Sequence, residues 1–425
     1  MIDLKKNDIN VPEESLQDSK HSQALSKLKN DQLDFLVTPE LLESLLQKHQ
    51  GFFEGVNSFD FDIFEFQAKV GRKMQMPFMA TTLLRQNNLQ QVVDFQKYLQ
   101  FFAQVYNRYN RHVQYHNDLH GSDVAQHAHF ILQTQKLGAL AQFNDLDTLS
   151  LLVAALCHDV QHDGFNNKYH KTTNSEVCQM YGDEHIQENL HAAQTLKLLE
   201  NPDCDFLSGK FSRGDVKTIK KRIAQSIIFT DIATMKKLRE EFQTHLDLNA
   251  IVDGANQAKI IDNSSPLATE KTKQLVCSTV LHACDISTNL REFQTSLTWT
   301  DLLFQEFFHQ GDMEKQQGLE VSMMCDRETT KIASGQAGFI QFVILPIFKQ
   351  MAQVVPNIAK VQIASGNRNI DLWKARAEFL DARSIKKLQA ESSDKKEATK
   401  PLALKQKGEP LASVEESQED LKQSV

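Results

Sequence analysis

From about residue 50 to residue 380 this chain contains little that would interrupt a helix. Glycine occurs only 16 times and proline 9 times in 425 residues, and hairpin dipeptides are nearly absent. Apolar residues recur at intervals of three and four. Ile186, Leu190, Ala193 and Leu196 fall on one helix face, as do Leu303, Phe304, Phe307 and Phe308. Strict apolar–polar alternation is scarce and no internal repeat is visible. With 41% apolar and 24% charged residues the chain can bury a sizeable core. The pattern predicts an all-α fold, with residues 41–380 forming a single compact multi-helix domain.

The flanks read differently. Residues 1–40 are expected to be a flexible arm, the first thirty of them dominated by Lys, Asn, Ser and Asp. Residues 384–425 have no aromatic side chain and read as a disordered polar tail. Pro39 to Gln47 is amphipathic, with Leu41, Leu42, Leu45 and Leu46 on one side. An element near residues 20–50 admits two partner readings, calmodulin or a second copy in a homodimer, beside the plainer one of a packing helix. It is not notably basic. The polar stretch Asp247 to Lys273 reads as a long inter-helix loop.

Net charge is −8, and no basic stripe carries interleaved aromatics, so no nucleic-acid partner is expected. Met1 to Asn7 has no apolar run, so no signal peptide is expected. The apolar stretches Leu149–Cys157 and Phe339–Phe348 are short for a bilayer, so no transmembrane segment is expected. Six cysteines without a CxxC pair suit free thiols in a reducing compartment, and a cytoplasmic location follows as an expectation.

Four blocks carry metal-ligand chemistry: Tyr115-His116-Asn117-Asp118-Leu119-His120, Cys157-His158-Asp159-Val160-Gln161-His162, Thr230-Asp231, and His282-Ala283-Cys284-Asp285. His116 and His120, four apart, share a helix face, but core or surface histidines explain most such pairs. His158-Asp159 is sharper, because it follows the apolar run Leu151–Leu156. A carboxylate at the end of a buried helix is costly unless a charge compensates it; a metal does so, and capping of a neighbouring helix is the plainer alternative. Asp285 follows a second apolar helix, Leu275–Ala283. Imidazole and carboxylate together suit Zn²⁺. One carboxylate can bridge to a second, harder ion that keeps its waters, as Mg²⁺ prefers. Such a pair generates hydroxide near neutral pH and clamps a phosphoryl group.

The blocks resemble the signature of the class I 3′,5′-cyclic nucleotide phosphodiesterases. Tyr115-His116-Asn117-x-x-His120-x-x-Asp123, His158-Asp159-x-x-His162-x-Gly164 with Asn167, and Glu188-Asn189-x-His191 occur in the family's order. So do Thr230-Asp231, His282-x-x-Asp285-Ile286-Ser287, Glu306-Phe307-Phe308-x-Gln310-Gly311-Asp312, and Gln336-x-Gly338-Phe339. The resemblance covers about residues 58–360. Text around Asn166-Asn167, Cys325-Asp326-Arg327 and Gly338-Phe339-Ile340 is nearest the calcium/calmodulin-dependent subgroup.

The resemblance implies a helical catalytic domain with a deep metal-containing pocket. It implies hydrolysis of cAMP, cGMP or both to the 5′-monophosphate by a two-metal-activated hydroxide, ending a cyclic-nucleotide signal. His120, His158, Asp159 and Asp285 would bind Zn²⁺, and Asp159 would bridge to Mg²⁺ or Mn²⁺, whose waters would lean on His162, Glu188 and Thr230. His116 would be the general acid. Gln336, Phe339, Leu303 and Phe307 would hold the base, and Asn167 would join the substrate site. Departures from the family pattern occur at Gln161, Asp163, Leu190, Thr288-Asn289 and Met323. None removes an implied ligand, but Thr288 and Ser296 fall where base selection is often made, so cAMP against cGMP stays open. A phosphohydrolase of linear nucleotides and an inactive cyclic-nucleotide-binding relative are the rival readings.

Overall fold

A computed structural model describes residues 37–249 and 269–380. In chain order the helices are α1 (Pro39–Lys48), α2 (Gln50–Gly55), α3 (Ile63–Val70), α4 (Arg72–Gln86), α5 (Phe95–Arg108), α6 (Asp118–His129), α7 (Leu137–Leu140), α8 (Asp145–Cys157), α9 (Asn167–Thr173), α10 (Glu176–Tyr181), α11 (Ile186–Glu200) and α12 (Arg213–Ile228). They continue as α13 (Met235–Asn249), α14 (Glu270–Asp285), α15 (Phe293–Gln316), α16 (Ile332–Phe339) and α17 (Leu345–Met351). A last helix, α18, occupies 364–380, and its final six residues belong to a separate unit that begins at Ala375. No β-strand occurs among the described residues, where one isolated bridge joins Ser208 and Phe211. The all-α reading is borne out.

The expected arm through residue 36 and the tail 384–425 lie outside the described residues. So does the middle of the expected loop Asp247–Lys273, whose ends are helical: α13 runs to Asn249 and α14 begins at Glu270. The loop expectation missed a cap. Thr269 Oγ1 accepts the Thr272 N–H at 3.2 Å and starts α14 there. On α1 only Leu42 and Leu46 of the four leucines are buried, and Leu41 is exposed. The helix packs on α4, and Arg85 reaches Glu43 at 2.8 Å.

Other helix starts follow local chemistry. Asp62 Oδ1 accepts from the N–H groups of Phe64 and Glu65, each at 2.9 Å, and opens α3. Asn144 and Asp147 form a reciprocal capping box at the head of α8. Such caps contribute about 1 kcal/mol each.

The core is built around α8, whose residues Leu149 to Cys157 are all buried. It is touched by α4, α6, α12 and α14. Gly121 lets α6 approach: a Cβ there would meet the Tyr109 hydroxyl at 2.8 Å and the Leu156 carbonyl oxygen at 3.1 Å. This close approach brings His120, next in sequence, toward His158 at the far end of α8. Asp147 is buried and receives both Arg222 and Lys273, the latter at 2.6 Å, tying α8 to α12 and α14. Arg291, also buried, donates to the Phe59 carbonyl (2.9 Å), Asp123 Oδ1 (2.6 Å) and Gln126 Oε1 (2.7 Å). It fixes the 3₁₀ turn Ile286–Leu290 against α6.

The segment Ile332–Met351 is longer than the apolar run read from sequence. It is one helical stretch of 20 residues, long and apolar enough to cross a membrane by length and composition. A π turn, Ile340–Ile344, carries the helix through Gln341 and up to Pro346. Its residues Ile340, Ile344, Ile347 and Phe348 are core, fully shielded by protein. All six cysteines are free and buried.

Candidate active site

The four blocks meet in space. Asn117 caps α6, its Oδ1 accepting from the N–H groups of Leu119 (2.9 Å) and His120 (3.5 Å), which places His120 in the first turn. His158 and Asp159 lie just beyond α8, and Asp285 ends α14. His120 Nε2 is 3.0 Å from Asp285 Oδ1 and 3.7 Å from Asp159 Oδ2. His158 Nε2 is 3.1 Å from each of the same oxygens. All four ligand atoms lie within 4.8 Å of one another, and the group could hold a metal ion.

The side chains fit such an ion. His158 Nδ1–H donates to the Ala155 carbonyl at 2.8 Å, which fixes the tautomer and turns Nε2 toward the carboxylates. Asp159 Oδ2 is buried and faces the His158 and His120 imidazoles rather than a backbone N–H, so Asp159 is not the helix cap that the alternative reading offered. Burial by itself would raise both acids, but the neighbouring imidazoles, His158 foremost, outweigh it and hold Asp159 and Asp285 well below the usual carboxylate range. In return, the acids overcome burial and hold His158 in its charged form above the ordinary 6.5. A bound cation would replace that proton, since an imidazole must be neutral to ligate.

His116 stands beside this quartet with its side chain 23% exposed. Sequence reading left its partner without a role: Glu306, on α15. The Glu306 carboxylate takes a short hydrogen bond from His116 Nδ1 through Oε1. Its Oε2 accepts the backbone N–H groups of Tyr115 (3.0 Å) and His116 (3.2 Å). Burial disfavours the charged ring, yet Glu306 outweighs it and carries His116 up to about 9. Burial likewise disfavours the carboxylate, but His116 brings Glu306 down to about 2. With Nδ1 engaged, Nε2 is the nitrogen free to give a proton. His162 stacks on His116, with ring centroids 4.2 Å apart and planes 17° off parallel. Its Nδ1 accepts the Gly164 N–H at 3.0 Å, and burial, then the His116 charge, push it down to about 4. A charged ring therefore lies on a neutral one.

A second group of side chains forms from Glu188, Asp231 and His185. Burial first, then Asp231, lift Glu188 to about 7. Asn167 Nδ2 donates to Glu188 Oε2 at 2.9 Å, and Asn167 Oδ1 accepts the Gln187 N–H at 3.0 Å, so both ends of its amide face α11. Thr230 Oγ1 donates to the Ile227 carbonyl at 2.7 Å, so this hydroxyl's remaining capacity is as an acceptor. His185 Nδ1 is 2.7 Å from Asp231 Oδ2, a pair that sequence reading did not anticipate. His191, quoted only as motif text, donates Nδ1–H to the Val160 carbonyl (2.8 Å) and sets Nε2 3.9 Å from Asp159 Oδ1. His127 and His129 sit elsewhere in the core, on Ser287 and on Asn57 and Asn87.

The residues expected to hold a base fall into two pairs. Leu303 and Phe307 are half-buried on α15, one turn apart and flanking Glu306. Gln336 and Phe339 share a face of α16; Gln336 is buried with its Oε1 unpartnered. The turn Ile286–Leu290, immediately after Asp285, packs against both α15 and Ile340–Ile344.

An all-helical fold whose His–Asp quartet could hold a metal ion, with a His–Glu pair beside it, is the kind of frame that suits metal-assisted hydrolysis. The profile described as 3′5′-cyclic nucleotide phosphodiesterase matches residues 115–364, more than half of the chain. The chain belongs to that family. It is 30% identical over 295 residues to the probable 3′,5′-cyclic-AMP phosphodiesterase pde-4 of Caenorhabditis elegans, covering 69% of this chain and 42% of that one. It is 29% identical over 278 residues to the 3′,5′-cyclic-AMP phosphodiesterase 4C of Rattus norvegicus, covering 65% and 50%. The chain thus spans about half the length of the curated relatives it matches. A solved structure titled "Structure of LmjPDEB1 in complex with IBMX" superposes with a TM-score of 0.68 at 28% identity, covering 82% of this chain and 100% of that one. These matches bear out the family; the calmodulin-dependent subgroup is not among what they show.

Proposed function

We propose that this chain hydrolyses a 3′,5′-cyclic nucleotide to the 5′-monophosphate and so ends a cyclic-nucleotide signal. His120, His158, Asp159 and Asp285 would hold Zn²⁺, with Asp159 also serving a second site for Mg²⁺ or Mn²⁺. The observation that carries the reading is the quartet with the His116–Glu306 pair beside it. The relatives' names support the substrate class, and both name cAMP. Divalent ions in these positions supply a water that is nucleophilic at neutral pH and neutralise charge on phosphoryl oxygens.

The protein's own groups do the rest. As the P–O3′ bond breaks, O3′ leaves as an alkoxide and takes the proton from His116 Nε2. Glu306 keeps that ring charged and aimed. His162 offers an Nε2–H, whereas Glu188 and the Thr230 oxygen offer lone pairs, so water around the second site finds both donors and acceptors. Gln336 hydrogen-bonds the purine edge through its unpartnered amide oxygen and its NH₂. Phe339 stacks on the base, opposite Leu303 and Phe307, and Asn167 shapes the pocket through Glu188. The six reduced thiols suit a cytoplasmic setting.

The test is hydrolysis of cAMP and of cGMP by the purified chain, with and without chelator, against a linear 5′-nucleotide. Turnover of a cyclic nucleotide that chelation abolishes and Zn²⁺ with Mg²⁺ restores is expected. Turnover of the linear substrate alone would favour the rival phosphohydrolase, and binding without turnover would favour the inactive relative.

A further inference from the structure

His282 stands one turn before Asp285 on α14 and is fully buried. Its Nδ1 is 2.7 Å from the Phe229 carbonyl oxygen. A carbonyl only accepts, so Nδ1 carries the proton. Burial keeps the ring neutral, below its ordinary 6.5, which leaves Nε2 as a bare lone pair. That nitrogen is buried and has no hydrogen-bond partner in the protein. A buried acceptor left unsatisfied costs about 1–3 kcal/mol. The protein retains this one beside two carboxylates, Asp285 and Asp231, both near enough to act on the ring.

Two neighbours show what such a ring does here. His158 and His191 each give Nδ1–H to a backbone carbonyl, of Ala155 and Val160, at 2.8 Å. Each then turns Nε2 toward Asp159, at 3.1 Å and 3.9 Å; on His191 it is a bare lone pair, and on His158 it carries the proton that a bound cation would replace. His282 holds its Nδ1–H in the same way, and the carbonyl that takes it, Phe229, immediately precedes Thr230 and Asp231. A hydrated Mg²⁺ or Mn²⁺ presents several water protons, and each needs an acceptor. His162 cannot serve as one, because its Nδ1 is already taken by Gly164.

We propose that His282 is a positioning residue for the second cation. Its Nε2 accepts a hydrogen bond from a water in that ion's shell, while its Nδ1–H holds the Phe229–Thr230–Asp231 turn. The inference rests on the two-cation reading above. It goes beyond that reading by assigning His282 a place at the hydration shell and by fixing its tautomer.

The experiment is a Mn²⁺ titration followed by electron paramagnetic resonance, on zinc-loaded full-length protein, with zinc measured by elemental analysis. His282→Asn keeps an N–H where Nδ1 was and deletes Nε2. His282→Gln restores an acceptor near Nε2 and gives up the Phe229 bond. The expected result is unchanged zinc in both, Mn²⁺ binding weakened about 10-fold or more in H282N, and most of that affinity recovered in H282Q. His282→Leu, which removes both nitrogens, replaces the Asn variant in the comparison should H282N not fold. Mn²⁺ affinity in H282N equal to wild type would overturn the proposal. Equal weakening in H282N and H282Q with loss of zinc would overturn it too, by reducing His282 to a structural tie. A wild-type chain that binds zinc but no Mn²⁺ would instead remove the two-cation reading, and the inference with it.

Discussion

Replacing Glu306 with Gln preserves side-chain shape and one acceptor for the Tyr115 and His116 N–H groups, and removes the charge on the His116 ring. That charge is what carries His116 from its ordinary 6.5 to about 9 against burial. The step is worth ~3 kcal/mol of preference for the imidazolium, at ~1.4 kcal/mol per tenfold in proton affinity. In the proposed mechanism only the imidazolium can protonate the leaving oxygen, so activity falls as pH rises through the ring's pKa. At pH 7.5 a ring titrating near 9 is ~97% charged and one near 6.5 only ~10%, so E306Q loses about tenfold from protonation alone. Loss of aim adds to this, within the ~10²–10⁴ that general-acid catalysis contributes. The assay is kcat/KM for a cyclic nucleotide from pH 5.5 to 10. Bound cations lower both alkaline limbs together, so the decisive quantity is the gap between them: the limb in E306Q should sit about two and a half pH units or more below wild type. Superimposable limbs would show that Glu306 does not set the charge of the acid.

Other expectations follow from packing and from the pocket. Arg291→Met should destabilise by about 3–5 kcal/mol in urea unfolding, because Asp123 is left as an uncompensated buried charge; a loss under about 1 kcal/mol would mean that Asp123 finds another partner. Gly311→Ala drives a Cβ into the Cys325 carbonyl oxygen, so backbone must move; a loss of about 3 kcal/mol is expected in thermal unfolding, and an unshifted Tm would contradict that contact. Phe339→Ala should raise KM more than it lowers kcat, because stacking is mostly uniform binding; the opposite split would take Phe339 out of the base site.

The helical architecture was legible because glycine and proline are few and the period of three and four recurs in long stretches such as α8, α11 and α15. His120, His158, Asp159 and Asp285 were legible because each stands at the edge of an apolar run or in a compact His–Asp block. Glu306 was not, although its motif was in view. A lone acid on a helix reads as a solvated face, and its partner His116 is 190 residues away in sequence. Arg291 hid for a related reason: arginine reads as surface, and its burial depends on acceptors from Phe59, Asp123 and Gln126 that only the fold assembles. The tautomers of His158, His191 and His282 are set by backbone carbonyls of other segments, which no side-chain pattern encodes. The loop expected at Asp247–Lys273 was too long because polar helix ends resemble loops when the Thr269 cap is overlooked.

Diffraction from crystals grown with zinc, recorded on both sides of the zinc absorption edge, tests the central claim most directly. An anomalous peak in contact with His120, His158, Asp159 and Asp285 together is the predicted result. An enzyme that turns over cyclic nucleotide while its zinc lies elsewhere, with these four side chains bound only to one another, would contradict it.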